Sequence, residues 1–352
     1  RSNLRIKYND LGFSSYQSEY PYDMIKKNGN ILSPVYPLLN VKAELDRPRD
    51  DPEGPGEHAL SATFFDDGIA ILGWYKVTIY DRDFNFKKAM IPNYPAVGLI
   101  MSGFKNIYDF TTEEDVPQLV TYYGQPQTNL AHFNKRFYDI FNIVDVVNPA
   151  DSHNSRDSVF IPIGELTADS RYRNGNSFYM LQPRFNVSEN KLFYALNTDT
   201  TLFVRNLPEG EIIESYTIPF DKFILNDGDE MGMAGARRGA PKDMSGNIET
   251  VYHTGDFEVV AYQSGMKLSE MEQYDRNSPD YYDQLQRVNF KKYLVIKDGQ
   301  RVNSDLKLDP RVFYLEFVDD DGIFYGMQDT RVTEEEPEFY TIYKLKIVPD
   351  EN

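Results

Sequence analysis

Two arginines share a local context. Pro183-Arg184 and Pro310-Arg311 each open a run of strand-forming residues, and they lie 127 residues apart. At equivalent positions, two guanidinium forks would bind a carboxylate or sulfate bidentately; the competing reading makes each the partner of a neighbouring Asp or Glu. His253 closes another such run and is one of four histidines, with His58, His132 and His153. None pairs with another at the i, i+4 spacing of a helical zinc site. His253 therefore reads either as a structural residue or as a ligand or base facing a central channel. Tyr274, Tyr281 and Tyr282 fall in a polar stretch without strand pattern. Exposed tyrosines there would stack on sugar rings or dock a protein; alternatively they cover a small core of the stretch itself.

Other chemistries lack their residues. Without cysteine there is no disulfide, thiolate metal site or cysteine nucleophile. No serine sits in Gly-x-Ser-x-Gly, so the strained elbow of a hydrolase nucleophile is missing. Asp227-Gly228-Asp229-Glu230 offers oxygen ligands but not the spacing of a calcium loop. Asp319-Asp320-Asp321-Gly322 is explained by turn chemistry, and Arg237-Arg238 by a solvated loop tip. No cofactor is expected. What survives on the enzymatic side is a carboxylate pair acting on glycans.

The charge balance narrows the partners. Asp and Glu number 55 against 37 Lys and Arg, a net charge of −18, and such a surface repels phosphate backbones and anionic headgroups. Nucleic acid is not an expected partner. The most apolar run, Ile69 to Tyr75, is far below the ~20 residues of a membrane-spanning helix. A chain that starts at Arg1 and lacks cysteine fits an envelope lipoprotein whose lipidated cysteine stood just upstream; a cytoplasmic protein with a trimmed end is the alternative. The membrane is then reached only through that anchor.

The elements that would position these residues are strands. Aromatic residues make up 14% of the chain, in short runs with Val, Ile and Thr that suit a pleated, half-buried surface. Ala59 to Phe65 and Ile69 to Gly73 flank Asp66-Asp67-Gly68 as a hairpin would. Asn186-Val187, Lys191 to Leu196, Thr200 to Arg205 and Glu211 to Ile218 read as a four-stranded meander. Hairpins recur around Gly255 and around Asp319 to Gly322. Taking the second strand as marker, Phe193 to Phe257 is 64 residues, Phe257 to Phe324 is 67, and Ile71 to Phe193 is 122, with Val120 between them. Five units are visible on this period, the signature of propeller blades.

Tyr8 to Glu57, with Ile31 to Val41, has the length of one more blade. The expected fold is therefore all-β, one β-propeller domain over residues 1–352, six-bladed, with Leu4 to Tyr8 pairing with the last blade to close the ring. Two tandem β-sandwiches are the alternative, but no Pro/Gly/Ser-rich linker divides the chain. Polar insertions at Arg47 to Glu57, Asn226 to Asn247 and Ser264 to Gln286 would crown one face.

Gln182-Pro183-Arg184-Phe185-Asn186-Val187, followed by Lys191-Leu192-Phe193-Tyr194, resembles segments of the Bacteroidetes six-bladed β-propeller lipoproteins, a group that includes a family of unknown function. The resemblance implies a lipid-anchored envelope protein and transfers no catalytic residue. Trp74 is the single tryptophan, so the Trp-Asp repeat of another propeller class is absent. The expected function is non-enzymatic binding of a protein, peptide or glycan, with Arg184, Arg311, His253, Tyr281 and Tyr282 as candidate ligand contacts; a glycan hydrolase or lyase with a carboxylate pair at the channel mouth is the alternative.

Overall fold

The computed structural model describes residues 2–4, 59–73, 76–82, 85–92, 105–122, 132, 134–151, 159–178, 181–231, 242–319, 321–328 and 341–347. The N-terminal strand is β1 (Ser2–Leu4). A first sheet holds β2 (Ala59–Phe65), β3 (Gly68–Gly73), β4 (Val77–Asp81) and β5 (Phe86–Met90), and a second holds β6 (Ile107–Thr111), β7 (Pro117–Thr121), β8 (Asn142–Val147) and β9 (Phe160–Glu165). A small ladder joins β10 (Asn176–Ser177) to a later strand. The third sheet runs β11 (Pro183–Ser188), β12 (Lys191–Leu196), β13 (Thr201–Asn206), β14 (Ile212–Thr217), after which β15 (Asp229–Glu230) completes the β10 ladder. The fourth runs β16 (Asn247–Thr254), β17 (Phe257–Gln263), β18 (Lys292–Lys297), β19 (Gln300–Arg301), and the last holds β20 (Val312–Val318), β21 (Ile323–Gln328) and β22 (Ile342–Lys346) with β1 outside β22.

The hairpins are dictated by their turn residues. Between β11 and β12, Glu189 and Asn190 both take left-handed φ (47° and 57°), as do Asp298 and Gly299 between β18 and β19 (50° and 68°). Two such residues give the turn whose twist matches that of the flanking strands. At Asp319 the side chain builds the turn, its Oδ1 accepting from the backbone N–H of Asp321 (3.1 Å) and Ile323 (2.8 Å). Gly68 is needed for close approach, because a Cβ there would fall 2.0 Å from the Tyr80 carbonyl oxygen.

Five four-stranded antiparallel sheets of propeller-blade type are present among the described residues, where the sequence predicts six blades in a closed ring. The sixth, expected by length over Tyr8 to Glu57, lies outside the described residues. Closure is corrected as well. β1 is three residues long and pairs Ser2 with Lys344, Asn3 with Tyr343 and Leu4 with Ile342. That ladder completes one sheet, and no β-ladder passes from one sheet to another among the described residues, so ladder hydrogen bonds close no ring. The marker residues Ile71, Val120, Phe193, Phe257 and Phe324 nevertheless all fall in the second strand of their sheets.

The chain divides into two compact units, Arg1–Gln125 with Asp145–Ile161 and Asp309–Asn352, and Pro126–Val144 with Pro162–Leu308. In the first, Phe65, Leu72, Val77 and Met90 of the first sheet share a core with Ile107, Leu119, Val147 and Phe160. In the second, Phe193, Ala195, Leu202 and Val204 of the third sheet pack on Val251, Val260, Tyr262, Leu294 and Ile296 of the fourth. No helix among the described residues is long and apolar enough to cross a membrane. Among the described residues the short α-helices are α1 (Lys135–Asp139), α2 (Leu268–Met271) and α3 (Tyr281–Val288).

The segment after β19 is held to the fourth sheet by Asp305. Its carboxylate accepts from the Tyr262 hydroxyl (2.8 Å) and Arg301 Nη2 (3.1 Å) and lies 3.0 Å from Lys292 Nζ. Burial alone would raise this carboxyl, but the Lys292 and Tyr262 hydrogen bonds and the charges of Lys292 and Arg301 outweigh it and hold it below the usual carboxylate range. A depressed folded-state value means that the stabilisation is complete above the unfolded pKa of ~3.9 and is lost as pH falls through the folded value. Asp305→Asn should therefore cost about 2–4 kcal/mol at pH 7 and flatten the acid side of the stability curve. Urea unfolding over a pH series checks this; equal stability and an unchanged acid limb would show that the network contributes nothing.

Candidate functional site

The second unit contains a cavity of about 450 Å³, within the ~300–1,000 Å³ of small-molecule sites. Strand alternation explains one wall. In β12 and β13, Phe193, Ala195, Leu202 and Val204 turn toward the fourth sheet, so the period of two sends Tyr194, Leu196, Thr201 and Phe203 to the other face. These four line the cavity with Ile212 and Ser215 of β14. Tyr194 lies directly across from Phe203, and Phe203 from Ser215. The Tyr194 and Phe203 rings are stacked, with centroids 5.2 Å apart and planes 15° apart.

The opposite wall is Glu165, at the end of β9, and the loop beyond it. Thr167, Asp169, Ser170 and Arg171 line the cavity from this side. Ser170 caps a 3₁₀ turn over Arg171–Arg173, which sets the direction of Arg171. Its Nη1 donates to the Thr198 carbonyl (3.1 Å) and its Nη2 to the Asn226 carbonyl (2.5 Å), with Asp227 Oδ1 3.7 Å away.

Arg205 joins the two walls. This buried side chain donates through Nε to the Tyr194 hydroxyl (3.0 Å), through Nη1 to the Gly210 carbonyl (2.6 Å) and through Nη2 to the Glu165 carbonyl (3.1 Å). Burial pushes the Tyr194 phenol up, against the pull of the Arg205 charge and hydrogen bond.

Asp199, in the turn between β12 and β13, is the buried carboxyl of the site, with 9% of its surface exposed. Burial raises its pKa. The Thr200 N–H, which donates to Oδ1 at 2.7 Å, and the Arg171 charge pull it down without cancelling the effect. The exposed Asp169 carboxyl is lowered, chiefly by a hydrogen bond from the Thr167 side chain. The cavity thus combines an aromatic pair, a hydroxyl-bearing rim and carboxyl groups in different environments.

The residues singled out from sequence sit elsewhere. Arg184 is buried on β11, its Nε donating to the Ile248 carbonyl (3.2 Å) and its Nη2 to Gln182 Oε1 (2.9 Å). Arg311 belongs to the other unit, exposed, and binds Asp309 bidentately at 2.9 and 2.8 Å. His253 lies face to face on Phe193 (3.8 Å, 8°), with Nδ1 3.2 Å from Glu258 Oε1. Tyr274 and Tyr281 cover a small core of Met266, Met271 and Leu285. Tyr282, edge-on to Tyr281 at 5.4 Å, is 74% exposed. The structure thus brings together Tyr281 and Tyr282, and ties Arg184 to the strand that carries His253.

No family model matches the sequence, and no curated protein matches it. Among solved structures, the chain is similar to a member of the DUF4221 family from Bacteroides vulgatus, at 10% identity and TM-score 0.48 over 79% of this chain and 74% of that one. It is also similar to a Bacteroides fragilis protein described as exported, at 13% identity and TM-score 0.44 over 81% and 75%. The Pan2 WD40 domain of Neurospora crassa is similar at 12% identity and TM-score 0.35 over 77% and 61%. The fold assignment rests on the β-ladders themselves.

None of the cavity residues is marked by a sequence motif. The available signal is register: once Lys191 to Leu196 and Thr201 to Asn206 are paired through the Asn197 to Thr200 turn, Tyr194 must face Phe203 on the side away from Phe193. Arg205 is the residue on which the cavity's geometry depends. Arg205→Met should cost about 3–5 kcal/mol, because it leaves two carbonyls and a phenol without their donor. Arg205→Lys should recover only part of this, since an ammonium's three donors radiate from one nitrogen and cannot reach acceptors spaced for the three nitrogens of a planar fork. Chemical denaturation of both variants is the check, and a loss under about 1 kcal/mol for Arg205→Met would show that the walls hold together without it.

Proposed function

We propose that the protein is a non-enzymatic binding module of the cell envelope that seats a protein, peptide or glycan group in the cavity of its second unit. The observation that carries this reading is the cavity: its size suits a ligand, and its walls are fixed by a buried arginine and by strand register. Preorganised walls favour binding, because the cost of ordering them was met on folding. The envelope setting is supported by the resemblance of the 182–194 segment.

One observation favours a second reading. Asp199 and Asp169 border the same cavity with carboxyls shifted in opposite directions, the pattern that separates an acid from a base in glycan-cleaving sites. A panel of polysaccharides with product detection decides between the two. The binding reading expects no turnover, whereas turnover that disappears in Asp199→Asn would establish the hydrolase.

The binding reading is tested with immobilised glycans and peptides on the wild type and on Ser215→Trp. Ser215 is exposed on β14 and borders the cavity, so the indole obstructs the seat without entering the core. Signals given by the wild type should fall by about tenfold or more in the variant, a change of about 1.4 kcal/mol. Signals that persist unchanged would mean that the cavity is not the seat.

A further inference from the structure

The cavity's chemistry selects among protein, peptide and glycan ligands. We propose that it takes a ring of an uncharged glycan and discriminates against acidic ones, a specificity that rests on the binding reading of the same cavity. Three features carry this. The first is the stacked pair: Phe203 is partly exposed at the cavity wall and is backed by Tyr194 at 5.2 Å. A held aromatic face offers a flat apolar surface for the C–H face of a pyranose, and the buried ring behind it keeps that face in position.

The second is the rim. Thr167, Ser170, Thr201 and Ser215 place hydroxyl groups on both walls. Thr167 and Thr201 donate their protons to Asp169 and Asp199 and keep lone pairs to accept with, whereas Ser170 accepts from the Tyr172 N–H and keeps its proton to donate. Sugar hydroxyls, which do both, match either kind. A ligand whose own groups have this dual character can satisfy such a rim in several orientations. A peptide brings fixed donors and acceptors and has no ring face of alternating C–H and O–H groups.

The third is the charge. The exposed Glu165 and Asp169 and the buried Asp199 line the cavity, whereas Arg171, the one cation lining it among the described residues, already directs both terminal nitrogens at the Thr198 and Asn226 carbonyls. The bidentate fork that would recognise a uronate or sulfate is thus engaged by the protein. Carboxylates accept well from neutral hydroxyls and repel an anionic sugar.

The test is isothermal titration of the whole chain with cello-, manno-, malto- and xylo-oligosaccharides, with oligogalacturonate and a chondroitin sulfate oligomer as acidic probes, and trilysine as the cationic peptide. At least one uncharged series should bind, the acidic probes should be about tenfold weaker or more, and both Phe203→Ala and Ser215→Trp should weaken the uncharged ligand by a similar factor. Ser215→Trp changes an exposed position, so it decides the matter even if Phe203→Ala fails to fold. Preference for an acidic probe, or uncharged binding untouched by Ser215→Trp, overturns the inference. Trilysine binding that is lost in Ser215→Trp, with no uncharged sugar bound, removes the glycan inference and leaves the binding reading standing. Binding of no probe at all overturns the inference, while the peptide and glycan arrays still decide the broader reading.

Discussion

The second unit depends on one buried guanidinium. Removing Arg205 from water costs several kcal/mol, a cost that only well-placed acceptors offset. They are the Tyr194 hydroxyl, the Gly210 carbonyl and the Glu165 carbonyl. Three acceptors, each met by a different nitrogen, suit a planar fork and not the single nitrogen of an ammonium. They belong to β12, to the turn between β13 and β14, and to the end of β9. One side chain therefore fixes the aromatic wall and the loop wall of the cavity relative to each other, and the loop's position in turn sets where Arg171 can reach.

The third sheet works on both faces, which explains its composition. Its face toward the fourth sheet is apolar along its middle and closes at one end in a polar seam. There the Asn197 side chain accepts from the Gln182 N–H (2.9 Å) and reaches Asn247 (3.3 Å), while the Asn197 carbonyl accepts from the Ile248 N–H (2.7 Å). Arg184 bridges the same two strands through Ile248 and Gln182. Buried polar groups are tolerated only when paired, and directional pairs fix the alignment of two sheets that apolar contact alone would let slide. The Pro-Arg motif that suggests an anion site thus serves, at Arg184, as an inter-sheet tie.

Legibility tracks the range of the interaction. The hairpins around Asp66 to Gly68, Glu189-Asn190, Gly255 and Asp319 to Gly322 are readable because turn residues and strand alternation act over a few positions. Helices α2 and α3 show in the sequence only as a polar stretch without strand pattern. The expected six-bladed closed ring is corrected to five four-stranded sheets among the described residues with no ladder between them; the sixth blade is read from length alone over Tyr8 to Glu57, which lie outside those residues. The cavity is invisible for a different reason. Its residues come from 143, 165–171 and 194–215, and nothing in their local sequence marks them. Glu165 meets Arg205 only because β9 ends beside β13, which is a fact of sheet packing and not of spacing.

Charge acts on two length scales here. At a distance, the net charge of −18 disfavours the approach of anions, though salt screens that field beyond about 8–10 Å. Discrimination at contact must come from local arrangement, and the orientation of Arg171 toward carbonyls supplies it. Asp199 adds a further constraint. Burial raises its pKa, so the charged form is already disfavoured there, and an anion entering beside it would disfavour that form further. A ligand bearing hydroxyl groups instead of charge can accept from the neutral acid or donate to its anion. It leaves the balance of the cavity undisturbed in either state.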